Sequence, residues 1–131
     1  MYFKLDIEKS GRWFAISCDC LGVFTQGNSV EEAKEMFKDA LNALVEEGKS
    51  KAQIEFADDN QGFKIVNFDE MIAFIMERLR HQSELSIADL ADELGQKSKS
   101  LIHRYLQGKS IPTITRFDEL INAMGHKIFI A

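Results

Sequence analysis

Lys99, Ser100, His103, Arg104 and Gln107 recur at spacings of three and four residues, so in a helix their side chains project from one side. Lys99 and Ser100 suit phosphate oxygens; Arg104, Gln107 and His103 suit the donor and acceptor edges of bases. Lys97, Ser98 and Lys109 flank the group. From Gln96 to Arg116 no acid occurs, although the whole chain has 21 acids against 16 bases and a formal charge of −5. A basic island of this kind releases counterions from DNA even when the rest of a protein is acidic. The residues expected to contact DNA are therefore Lys97, Ser98, Lys99, Ser100, His103, Arg104, Gln107 and Lys109. The competing reading is a solvated basic helix face.

The surrounding pattern supplies a scaffold for that face. Ser86 is an N-cap candidate with Asp89 three residues on, and Ile87, Leu90, Ala91 and Leu94 follow at helical spacing. Gly95 stops that helix. A second helix, capped by Ser98 or Ser100, buries Leu101, Ile102, Tyr105 and Leu106, and Gly108 ends it. Thr113 caps a third, through Ile114, Phe117, Leu120, Ile121 and Met124, with Gly125 as its stop. The layout from Leu85 to Met124 resembles the Cro/repressor-like helix-turn-helix family, whose helix after the tight turn enters the major groove. Between Gly95 and Ile102 this chain has one residue more than the usual pattern. An extra turn residue accounts for it and keeps Arg104 off the buried face.

Other chemistries find little support. A two-metal nuclease needs three or four converging carboxylates, whereas Asp6, Glu8 and Asp19 read as scattered surface acids. His81, His103 and His126 lie far apart. No Ser/His/Asp, Cys/His or glycine-rich phosphate motif stands out, so we expect no enzyme, no cofactor and no metal site. Cys18 and Cys20 read as small apolar residues on one side of a strand, because a disulfide is disfavoured in a reducing compartment. No apolar run of about 18 residues and no signal-peptide layout is present, and a cytoplasmic protein is expected.

The front half alternates. Tyr2 to Ile7 reads as a strand with Phe3, Leu5 and Ile7 on one face; Trp13 to Cys18 and Val23 to Gln26 follow as second and third strands. Ser29 opens an amphipathic helix carrying Val30, Ala33, Phe37, Ala40, Leu41 and Leu44. Ala52 to Phe56 and Phe63 to Phe68 are further strand candidates. Gly11, Trp13, Leu21, Gly22, Thr25, Gly27, Asn28, Ser29, Glu31, Glu32 and Ala33 together resemble the N-terminal domain of HicB antitoxins. Arg12 and Val23 depart from that family's pattern.

The resemblance implies an α+β chain. A partial RNase H-like β-β-β-α-β domain (residues 1–68) precedes an all-α helix-turn-helix domain (69–131) with a short terminal strand. It also implies an antitoxin that binds a HicA-like RNA-cleaving toxin and represses its own operon. Residues 1–68 hold 12 acids and 8 bases, against 9 and 8 in residues 69–131, which suits a basic RNA-gripping partner. On that basis Asp19, Leu21, Phe24, Glu31 and Glu35 are candidates for the toxin-facing surface. The tail, Lys127, Ile128, Phe129 and Ile130, reads as a strand needing a partner. Pairing with a two-fold mate would give a homodimer, or a dimer of dimers, on an inverted-repeat operator; docking on the first domain is the alternative. The other functional class is a stand-alone transcription regulator with a ligand-sensing front domain.

Overall fold

The computed structural model describes residues 1–95 and 99–127. The chain divides into two compact units, Met1–Met71 and Ile72–Ala131, and the described residues are mixed α and β.

The first unit holds β1 (Tyr2–Lys4), β2 (Asp6–Ser10), β3 (Trp13–Cys18), β4 (Val23–Gly27), α1 (Val30–Ala43), β5 (Ile54–Phe56) and β6 (Gly62–Ile65). They form two antiparallel three-stranded sheets, ordered β1-β6-β5 and β2-β3-β4. The single strand expected from Tyr2 to Ile7 is in fact two, one in each sheet. Tyr2 pairs with Lys64 and Asp6 with Ser17, and Leu5 between them donates its N–H to Gln61 O at 3.0 Å. The alternation survives the change of partner, since Phe3 and Leu5 are buried. Both strand candidates after α1 form, as β5 and β6, so the observed order is β-β-β-β-α-β-β, one strand more on each side of the helix than the β-β-β-α-β unit that the resemblance implies.

Aromatic side chains fill this unit's core. Phe3 stacks on Phe63 at 5.2 Å, and Phe37 of α1 meets Phe63 edge-on at 5.2 Å and Phe56 at 6.1 Å. Each such ring contributes roughly 1.5–3 kcal/mol by leaving water. Two asparagines fasten the segment before β5. Asn42 Oδ1 accepts from Ala52 N at 2.8 Å. Asn67, which is buried, accepts from Gln53 N and donates to Lys51 O, both at 2.8 Å. Such bonds satisfy backbone groups that no strand partner reaches.

Gly27 explains how α1 sits against β4. A Cβ there would stand 2.7 Å from Ala33 N and 3.0 Å from Ala33 Cα, so only glycine permits the approach. Ala33 is itself fully buried, and Ser29 Oγ caps the helix by accepting from Glu32 N at 3.1 Å.

The helix α2 (Phe68–Ser83) contains the division between the units. The second unit continues with α3 (Ile87–Glu93), α4 (Ser100–Leu106) and α5 (Ile114–Ala123). Its buried set includes Ile75, Met76, Leu79, Leu90, Ala91, Ile102, Tyr105, Phe117, Leu120 and Ile121. No described helix is long and apolar enough to cross a membrane.

Candidate nucleic-acid interface

The interface is built on α3, which packs against α4 and α5. Ser86 and Asp89 form a full reciprocal capping box: Asp89 N donates to Ser86 Oγ and Ser86 N to Asp89 Oδ2, both at 3.0 Å. Two backbone N–H groups at the start of α3, which have no partner within the helix, are thereby satisfied. Just before it, Arg80 Nη1 donates to Leu85 O at 2.9 Å, and Arg80 also pairs with Glu77. Leu90 and Ala91 turn inward from α3, and Gly95 closes it with φ +67°.

α4 then starts at Ser100 rather than being capped by it. Lys99 occupies the capping position in helical conformation with no side-chain bond. Ile102 and Tyr105 are buried, whereas Lys99, Ser100, His103, Arg104, Gln107 and Lys109 are all exposed. Every described member of the predicted DNA-contacting set therefore lies on the solvent side of α4 or just beyond it. Lys97 and Ser98 lie outside the described residues. Arg104 is among the exposed residues of α4.

The end of α4 is shaped with equal care. Lys109 N donates to Arg104 O at 2.9 Å and Gly108 N to Tyr105 O at 3.2 Å, with Gly108 at φ +74°. This is the Schellman pattern, which needs the left-handed conformation that glycine adopts without strain. Beyond it, Arg104 Nε donates to Ser110 Oγ at 3.1 Å. That bond restrains the long side chain in advance of any contact, and so reduces the ordering cost of binding. Arg116, counted in the basic island, pairs with Glu119 at 2.9 Å.

One apolar feature departs from the sequence pattern. Ile114, expected in the buried stripe of α5, is 85% exposed, and Ile111 is 75% exposed. Thr113 accepts from Arg116 N at 3.1 Å and so fixes Ile114 as the first residue of the helix. Phe117, Leu120 and Ile121 supply the buried side. Ile111 and Ile114, both exposed in the stretch that follows α4, suit apolar contact with a sugar or a thymine methyl. The Thr113 cap was the signal in the sequence that marked Ile114 as terminal.

In the first unit, Asp19, Glu31 and Glu35 are exposed, and Phe24 is 67% exposed. Leu21 corrects the expectation: it is fully buried and belongs to the core. Glu31 and Glu35 also face Lys34 and Lys38, at 3.6 and 3.3 Å, which offsets part of their charge. Sequence reasoning missed a neighbouring surface. Asp6, Ser17 and Phe24 lie side by side across β2, β3 and β4, as do Glu8, Ala15 and Gln26, with Trp13 at 40% exposure beside them. Their alternation with buried Ile16 and Cys18 puts acids and aromatics on one outward face, which only strand register reveals. Among the described residues, no group of three or more His, Cys, Asp or Glu stands close enough to hold a metal ion.

Residues 75–126 match the family model of a helix-turn-helix domain. No curated protein matches the chain. The second unit thus carries a helix-turn-helix domain, of a class that binds DNA and regulates transcription, and α4 is its outward-facing helix after the turn. Lys127 is exposed, and the rest of the tail, Ile128, Phe129 and Ile130, lies outside the described residues.

Proposed function

We propose that the chain is the antitoxin and autorepressor of a HicA/HicB-type toxin–antitoxin pair. Its first unit binds and masks a small basic RNA-cleaving toxin; its second binds operator DNA. The chain catalyses no reaction itself. The observation that carries this reading is the conjunction in one chain of a helix-turn-helix domain with the Gly27–Ala33 motif. The motif residues have structural work to do: Gly27 and Ala33 let α1 approach β4, and Ser29 caps it. Asp6, Glu8, Asp19 and Phe24 supply acid and aromatic surface for a basic partner, with Glu31 and Glu35 on the first two turns of α1.

A two-fold dimer joined through Lys127 to Ile130 sets two α4 helices in successive major grooves, on half-sites about one helical turn apart. Removing residues 127–131 then yields a monomer at micromolar concentration in size-exclusion chromatography. A truncated protein that stays dimeric excludes the tail as the contact.

The partner is tested by co-expressing the neighbouring small reading frame with this chain. Copurification and rescue of growth are expected, and a toxic product that neither binds nor is neutralised overturns the antitoxin reading. The DNA arm is separate. Arg104→Ala weakens binding to the chain's own promoter by about 1–3 kcal/mol while leaving random duplex almost unaffected, whereas Lys99→Ala weakens both and flattens the salt dependence. Equal losses on both duplexes for Arg104→Ala remove it from the base-reading set.

A further inference from the structure

Cys18 and Cys20 are both free thiols, and their sulfurs lie 3.6 Å apart. Cys18, at the end of β3, is fully buried, while Cys20 is half-buried in the turn that leads to β4. Cys20 is thus the more exposed residue of the pair and Cys18 the enclosed one. Redox-sensitive pairs need this arrangement: an accessible thiolate to meet the oxidant and a second thiol to resolve the product.

We propose that Cys18 and Cys20 form an oxidation site at which a hydroperoxide closes a reversible intramolecular disulfide. The function proposed above is not needed for it.

The hydrogen bond between the two sulfurs divides their roles. Cys20, by accepting from Cys18, is held below the ordinary thiol value. The same bond, with burial, pushes Cys18 far up. Cys20, the more exposed of the two residues and the one whose thiol is held lower, is the nucleophile of this proposal. Its thiolate attacks one peroxide oxygen: an S–O bond forms, the O–O bond breaks, and the departing hydroxide takes a proton to become water. Cys20 is now a sulfenic acid, oxidised by two electrons at the peroxide's expense. Cys18 then loses its proton and attacks that sulfur. An S–S bond forms, the S–O bond breaks, and the second hydroxide leaves as water with the Cys18 proton. Two thiols and one hydrogen peroxide give one disulfide and two waters. The sulfurs must close from 3.6 Å to about 2.05 Å. The ring encloses Asp19, so the turn from Asp19 to Gly22, closed by Gly22 N donating to Asp19 O at 3.1 Å, is the segment that must adjust.

The test uses the full reduced chain treated with hydrogen peroxide and read by denaturing thiol titration and non-reducing intact mass. Loss of both thiols within a monomeric chain, with return of both on adding dithiothreitol, is expected. Thiols that survive, disulfide-linked dimers, or oxygen added to Cys20 without pairing each overturn the proposal. Two variants check the division of roles. In Cys18→Ala, Cys20 has no resolving partner, so a sulfenic acid accumulates and is trapped by dimedone. In Cys20→Ala, Cys18 stays reduced under the same treatment. Equal reactivity of the two single variants contradicts the assignment of Cys20 as the nucleophile. If either variant fails to fold, the wild-type thiol count decides alone.

Discussion

The two units reach order by different means. The first is stapled across the chain: Phe3, Phe37, Phe56 and Phe63 gather from four separate elements, and Asn67 fastens a strand entry 14 to 16 residues upstream. The second is built from neighbours. Ser86 bonds Asp89, Thr113 bonds Arg116, Arg104 bonds Ser110, and Gly108 closes α4 within six residues. Contacts of long sequence separation must close large loops before they form, whereas local bonds need little loop closure.

The largest effect expected from this contrast follows Phe63→Ala. Phe63 touches rings on both sides and is fully buried, so truncation leaves a cavity and costs about 3–5 kcal/mol. Trp13, the one tryptophan of the chain, lies in the first unit, and its fluorescence reports the loss as a lower urea midpoint. The caps of the second unit are made within it, so helical circular dichroism at intermediate urea should persist after the Trp13 signal has collapsed. A single coincident transition shifted for both probes would show that the two arrangements are not separable.

Asn67→Ala is the next step down. The change leaves Gln53 N–H and Lys51 C=O, otherwise held at 2.8 Å, without that partner. The cost is about 1–3 kcal/mol, since a buried polar group stripped of its partner loses its desolvation energy in full. The same Trp13 measurement reads it. A change under about 0.5 kcal/mol, the range of ordinary surface substitutions, would mean that water replaces the amide and that the staple is dispensable.

The contrast also sets what could be read from the chain alone. The second unit was legible because its signals are local. Ser86, Thr113 and the glycines at 95, 108 and 125 mark helix ends wherever the rest of the chain lies, and Ile102 and Tyr105 point inward by periodicity. The misreadings there, Ile114 as core and Ser100 as a cap, are shifts of one position at a helix start, where periodicity is weakest. In the first unit, periodicity found which residues are buried but not which strands pair. Phe3, Leu5 and Ile7 alternate identically whether one sheet or two receives them, and the change of partner at Leu5 depends on Gln61, far along the chain. Leu21 was misassigned for a related reason: a leucine beside glycine in a turn carries no periodicity. The face shared by Asp6, Glu8, Trp13 and Phe24 needed the register of three strands before it existed as a surface at all.

The smallest effect belongs to the local arrangement and is the sharpest check on it. Asp89 is exposed, yet its carboxyl is held below the ordinary value of 3.8, first by the Ser86 N–H bond and then by the Ser86 hydroxyl. A carboxylate depressed in the folded state contributes stability above its unfolded value and loses it as pH falls through the folded one. Asp89→Asn keeps an acceptor oxygen but removes the charge, and with it the favourable interaction with the positive end of α3. Its melting temperature, followed by helical circular dichroism, should therefore lie slightly below wild type at neutral pH. The gap should begin to close as pH falls below the ordinary value of 3.8 and vanish below the lower folded one, where the wild-type carboxyl is neutral too. A gap that holds constant through that window would mean that the cap works through geometry alone. The second unit would then owe its order to packing around Leu90 and Ile121, in the manner of the first.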